Sequence, residues 1–474
     1  MNGDVDPLLD RRGLLSWSAR GLGATALTSL LLRDGVLAAE PTHFPPRVRR
    51  AIQICLIGGL SHVDSFDFKP ALTRLHGRTL QMREQPDLFF GQIGLLRKND
   101  WEFRKRGQSG LWMSDLFPHL AEQADELTII NSMATDSANH TPALYFENCG
   151  FGQSGFPSLG SWFSFGLGNE AEDLPTYVVL PDSRGQPNGG SSIWSNGFLP
   201  SEHQGVLFRS GSSPVRDLFP ARPMTAATEA DSRDLLRRIN EMHAQRSGGD
   251  SVLAARMRSY ELAARMQLSV PEVADLGRES AATQAMYGLD RPETAEFGRN
   301  CLLGRRLLER GVRFVQIFSG GPIAGSPRAS WDAHENVREN HGLEARRVDL
   351  PVAALLKDLR RRGLLDDTLV MFTTEFGRTP FTQSAAGTVG QGRDHNKYGF
   401  SVWLAGGGLK SGTVYGATDE VGWKAAENEA TWHDFHATVL RLFGIDHERL
   451  TYYHNGIRRR LTNVHGHAME NILA

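Results

Sequence analysis

The strongest constraint on this chain is a recurring form: short unbroken apolar runs, each closed by a polar or glycine-rich turn, with amphipathic stretches between them. Ala51 to Ile57 is the first run and ends in Gly58-Gly59. Residues 127–131, 177–181, 313–318, 369–374 and 400–405 repeat the form. Runs without polar alternation predict strands buried on both faces. Residues 228–268 carry Ala, Leu, Arg, Glu and Met at helical spacing and predict two helices about the Gly248-Gly249 break. Residues 297–310, 343–362 and 433–443 predict three more helices. Strands alternating with helices predict an α/β chain with a largely parallel sheet covered on both faces. Ligands in such folds bind beyond the carboxyl ends of the strands, so the segments that follow strands are where chemistry is expected.

Composition narrows the function. The 474 residues include 52 Lys+Arg and 54 Asp+Glu, a formal charge of −2. A dedicated nucleic-acid binder needs a basic excess, so that class is excluded. The three cysteines, Cys55, Cys149 and Cys301, are too few and scattered for a disulfide scaffold or a zinc ribbon.

Residues 1–40 read as an address. Arg11-Arg12 precedes an apolar, small-residue stretch from Gly21 to Leu32, and Val36-Leu37-Ala38-Ala39 follows. That order predicts a twin-arginine (Tat) export signal, with the Tat translocase as a partner and a periplasmic or extracellular location. The apolar run is too short and too glycine-rich for a good membrane span, so no stable span is expected after export. The rest, about residues 45–470, reads as one domain with loop and helical insertions at about 80–125 and 182–270.

Histidines and carboxylates gather at the predicted strand ends. His62 and Asp64 follow the first strand, and Asn139-His140-Thr141 the second. Asp332 and His334 follow the fourth, Glu375 and Arg378 the fifth, and Asp394-His395 precedes the sixth. Imidazole nitrogen and carboxylate oxygen are ordinary ligands of divalent cations, so the pattern points to zinc, manganese, iron or calcium. Each residue also has a plainer role open to it. His62 and Asp64 suit a turn, Asp332 a helix cap, Glu375 and Arg378 an ion pair, His395 an exposed loop, and His433 with Asp434 the cap of the last helix.

The stretches Ile57 to Pro70, Thr374 to Pro380, His395 to Phe400 and Gly406 to Gly408 resemble the bacterial family called domain of unknown function 1501. That family is placed with alkaline phosphatases and sulfatases. The resemblance implies a three-layer α/β/α sandwich, alkaline phosphatase-like, and a metal site for phosphate or sulfate esters. Carried across by motif, it implies His62, Asp64, Asp332, His334, Glu375 and His395 as metal ligands. His140 or Thr141 would face the reacting centre, and Arg378 would clamp an anionic oxygen. Glu375-Phe376 stands where phosphatases have an Asp-His pair, and no Cys-x-Pro-x-Arg sulfatase signature occurs. The attacking group is therefore Thr141, His140 or water activated by the metal. The expected activity is an exported metal-dependent hydrolase of a small-molecule or glycan ester. The alternative is a catalytically inactive exported protein that binds an anionic glycan or a protein partner.

Overall fold

The computed structural model describes residues 42–81, 88–209, 214–215, 218, 225–246, 251–323 and 328–474. The segment read as an export signal lies outside the described residues. Among them, nine strands form one central sheet. In chain order they are β1 (Arg50–Leu56), β2 (Leu127–Ala134), β3 (Tyr177–Leu180), β4 (Val206–Leu207), β5 (Phe314–Ser319), β6 (Thr368–Thr374), β9 (Phe400–Gly406), β10 (Thr413–Tyr415) and β11 (Ala430–Thr431). The labels β7 (Gly377–Thr382) and β8 (Arg393–Asn396) belong to a separate hairpin. Across the sheet the order is β10-β2-β9-β6-β1-β5-β3-β4, with β11 also pairing with β2. Six of the eight pairings are parallel, those of β1 with β5 and β6 among them, while β9 runs antiparallel to β2 and β6.

Alternation along β1 divides the core. Ile52, Ile54 and Leu56 pack on one face with α5 and α6. Ala51, Cys55 and Ile57 pack on the other with α1, α2 and α7. These helices are α1 (His140–Cys149), α2 (Leu159–Leu167), α5 (Ala295–Glu309), α6 (Val337–Arg361) and α7 (Trp432–Leu442); α3 (Ala226–Arg246) and α4 (Ser251–Ala274) occupy the segment expected to hold two helices. The architecture is the three-layer α/β/α sandwich that the strand pattern and the resemblance imply. Both sheet faces are covered because both faces of β1 are apolar.

Two helix starts bear on the site. α6 begins earlier than the apolar spacing predicts, because the Asn336 side chain accepts from the Glu339 N–H at 3.2 Å and caps it. Asp332 and His334 are thereby released from a capping role. α7 is closed by a capping box between Thr431 and Asp434. His433 and His436 instead donate through Nε2 to the carbonyls of Gly150 and Glu147, each at 2.8 Å.

The β7–β8 hairpin falls in segments read from sequence as loops. All residues of its two strands are buried, yet most are polar, so the apolar–polar alternation that marks a half-covered strand is missing. The three cysteines are buried free thiols. No helix among the described residues is long and apolar enough to cross a membrane.

Candidate metal centre

β1 turns through Gly58 and Gly59, both at positive φ (121° and 87°). A Cβ on Gly58 would collide with the backbone of Trp331 and Asp332, so glycine lets the loop after β5 cross the end of β1. The Trp331 N–H then donates to the Ile57 carbonyl at 2.7 Å, which seats Asp332 beside that strand end. β2 leads to His140, the first residue of α1. β6 is followed by Glu375, and the hairpin carries Arg378 and His395.

A ring nitrogen from each of His140, His334 and His395 and a carboxylate oxygen of Asp332 lie within 4.8 Å of one another, and all four residues are buried. Asp332 Oδ1 is 2.7 Å from His334 Nε2, 3.2 Å from His395 Nε2 and 3.5 Å from His140 Nε2. The Nε2 atoms of His334 and His395 are 2.9 Å apart. On each ring the other nitrogen faces an acceptor. His140 Nδ1 donates to Glu375 Oε1 at 2.9 Å, His395 Nδ1 to the Ala138 carbonyl at 2.6 Å, and His334 Nδ1 to Gln383 Oε1.

Those outward bonds turn three Nε2 lone pairs inward, toward one another and toward a carboxylate. His140 Nε2 is buried without a hydrogen-bond partner. Electron pairs at these separations repel unless a cation or a proton lies among them. Histidine ligands whose second nitrogen donates to a carboxylate or carbonyl are the arrangement that fixes the metal-binding tautomer. The residues present therefore fit a divalent cation.

The electrostatics agree at Asp332 and His395, while at His140 burial would lower the imidazole but the hydrogen bonds to Asp332 and Glu375 raise it above its ordinary value. Burial would raise the Asp332 carboxyl, but the Arg378 guanidinium and its histidine neighbours hold it well below the usual carboxylate range. Burial and then Arg378 push His395 well below the ordinary imidazole value, into the neutral form a metal needs.

The structure places the sequence-predicted residues as follows. Asp332, His334 and His395 converge, and His140, expected at the reacting centre, converges with them. Glu375, expected as a ligand, lies behind His140 instead, where Oε1 also accepts from the Gly58 N–H at 2.8 Å. His62 and Asp64 are not brought to this group. Asp64 pairs with Arg393 at 2.9 Å, and His62 Nε2 donates to the Gly422 carbonyl at 2.8 Å. Arg378 is fully buried and bound to protein on every arm: to Asp332 Oδ1 at 2.6 Å, Gly59 O at 3.0 Å, Arg393 O at 3.2 Å and Gly58 O. It holds the ligand loop in place, which replaces the expected clamp on a substrate oxygen. Thr141 follows His140 and is partly exposed.

Sequence reasoning missed Gln383, Arg328, which pairs with Asp332 Oδ2, and Glu147. The signal for Glu147 was present: it lies two turns from His140 on the same face of α1. Burial, followed by the charge of Glu375, pushes its carboxyl up to about 8.

Residues 48–473 match the family model described as "Protein of unknown function (DUF1501)", and the chain belongs to that family. No curated protein matches the chain by sequence. Among solved structures it is similar to the PsFucS1 sulfatase from Pseudoalteromonas sp., at 14% identity over 91% of this chain and 72% of that one, with a TM-score of 0.35. It is also similar to a magnesium-bound mutant of TAB5 alkaline phosphatase, at 11% identity over 78% and 94%, TM-score 0.33. The zinc complex of the C-terminal periplasmic domain of EcEptC from Escherichia coli matches at 9% identity over 86% and 87%, TM-score 0.36. Likeness this distant carries no residue's role across.

Proposed function

We propose that the protein is an exported, metal-dependent hydrolase of phosphate or sulfate esters. The observation that carries the reading is the convergence of three inward-facing Nε2 lone pairs with Asp332 Oδ1 inside 4.8 Å, at the carboxyl edge of the sheet. His140, His334, His395 and Asp332 would hold the ion. A divalent cation held there would supply Lewis acidity, acidifying water and drawing charge from an ester's oxygens.

The protein's own residues do the rest. Glu375 accepts the His140 Nδ1 proton and keeps that ring in one tautomer. Ala138 and Gln383 do the same for His395 and His334. Arg378 holds Asp332 ionised and its loop in register. The amino end of α1, where His140 and Thr141 stand, places the positive end of the helix dipole beside the centre, which would favour an incoming anion. The attacking hydroxyl is that of Thr141 or of water. Export rests on the Arg11-Arg12 pattern, and the substrate is a small-molecule or glycan ester.

The test is hydrolysis of 4-nitrophenyl phosphate and 4-nitrophenyl sulfate by metal-loaded protein, with metal content measured on the same sample. Turnover that chelation removes and that Asp332→Asn lacks is the expected result. Thr141→Ala with metal retained and turnover abolished assigns the hydroxyl to Thr141. A chain that binds no divalent ion overturns the reading; one that binds metal but cleaves no ester leaves the non-catalytic binding role.

A further inference from the structure

The centre has two aromatic walls of opposite character. On the core side lies Phe376, fully buried, with its ring 4.4 Å from His395 and 4.9 Å from His140. On the solvent side lie Phe89 and Phe90. Phe89 is 5.0 Å from the His395 ring and Phe90 is 4.8 Å from the His334 ring. Unlike Phe376 they are 45% and 49% exposed. Their rings meet at 4.9 Å and 83°, forming an open corner of two apolar faces directly over two ligand histidines.

This corner is held in register with the centre. The buried carboxylate of Asp394 accepts the His395 N–H through Oδ1 at 2.7 Å and the Phe90 N–H through Oδ2 at 3.1 Å. One side chain thus fixes a ligand strand and the aromatic pair together. Two large apolar side chains kept half-exposed beside a charged, polar site cost solvation free energy, and a ligand's apolar face would recover it.

We propose that Phe89 and Phe90 are specificity-determining residues: they form a platform for a ring carried by the leaving group of the anionic ester, a pyranose or an aryl ring. The proposal rests on the metal-centre reading above. The anionic head would be drawn to the centre while the ring lies against the Phe89–Phe90 corner. Both kinds of ring present the flat apolar face that an aromatic side chain recognises.

The test is calorimetry on the metal-loaded full chain with inert anions. Methylphosphonate and methanesulfonate report the centre alone; phenylphosphonate, benzenesulfonate and a pyranosyl methylphosphonate add a ring at similar charge. The ring-bearing ligands should bind about 2- to 10-fold tighter, the size of an aromatic stacking contact. Phe89→Ala and Phe90→Ala should erase that advantage while metal content and methylphosphonate or methanesulfonate affinity stay unchanged, and Phe90→Tyr should restore it. The pyranose arm against the aryl arm tells which ring the corner prefers. A ring advantage absent from the wild type, or persisting in both alanine variants, overturns the platform and leaves the centre standing. Failure of every anion to bind metal-loaded wild type overturns the centre, and the platform falls with it.

Discussion

Asp64 and Asp332 are both buried, both follow a strand of the central sheet and both have a histidine two residues away, yet they are neutralised by different means. Asp64 has its needs met by protein. Arg393 Nε lies 2.9 Å from Oδ2, Ser61 Oγ donates at 2.6 Å, and the Asp100 N–H donates to Oδ1 at 2.8 Å. Burial would raise its pKa, but Arg393 together with the hydrogen bonds from Ser61 and the Asp100 N–H outweighs that and lowers it. Asp332 also has arginines, yet three imidazole nitrogens crowd its Oδ1 with their lone pairs forward. Composition does not separate a metal site from an ion pair. The direction in which lone pairs point does, and the hydrogen bonds on the far side of each ring set that direction.

The comparison is most sharply tested by removing a ligand on one side only. His395→Ala should take bound divalent metal from about one equivalent to a trace, because a folded site of fixed geometry tolerates no missing ligand. His62→Ala should leave metal content unchanged. Equal loss in both, measured by elemental analysis of dialysed protein, would mean the two sites are not distinct. Asp64→Ala should act on stability: it strands the fully buried Arg393, at a cost of about 3–5 kcal/mol. Protein that still folds should keep its metal, and denaturant unfolding with metal analysis on the same samples checks both.

The same pair shows how much could be read beforehand. β1, β5 and β6 are plain in the sequence because strands covered on both faces must be apolar throughout. Asp332, His334 and His395 were legible as candidates because a charge or imidazole beside such a strand needs a reason. Asp64 looked equivalent to Asp332, and the residue that makes it different, Arg393, lies 329 positions away. No local pattern carries that distance. The hairpin that delivers Arg393 and His395 escaped notice because its buried face is polar. Phe89 and Phe90 read as part of a loop, since nothing local tells an exposed aromatic pair from one packed beneath the chain.

Glu375 tests the comparison one bond further out. As the acceptor for His140 Nδ1, it should tune metal affinity without holding the ion. Glu375→Gln keeps an acceptor oxygen but loses the charge, and should weaken metal binding about 10- to 100-fold. Competition against a chelator of known affinity measures this. A loss as complete as that in His395→Ala would make Glu375 a direct ligand.

The smallest expected effect concerns Glu147, which lies behind Glu375 and outside the ligand group. Its Oε1 accepts from Thr373 Oγ1 at 2.5 Å, while Oε2 has no partner. Burial and the Glu375 charge raise its carboxyl from the ordinary 4.5 to about 8. Since the folded value is the higher, the folded chain keeps a proton that the unfolded chain releases between those two values. Stability from this residue is full below about pH 4.5 and declines as pH rises toward about 8. Glu147→Gln carries no such proton. At about pH 8 it should be more stable than wild type by about 1–2 kcal/mol, the gain being reduced by the amide's own unmet hydrogen bonds. Near pH 4.5 that gain should be gone, and the amide's unmet hydrogen bonds should leave the variant the less stable of the two. Melting temperatures of both proteins across this range decide it. A difference that does not change with pH would mean that Glu147 stays charged in the fold, with an undetected cation beside it.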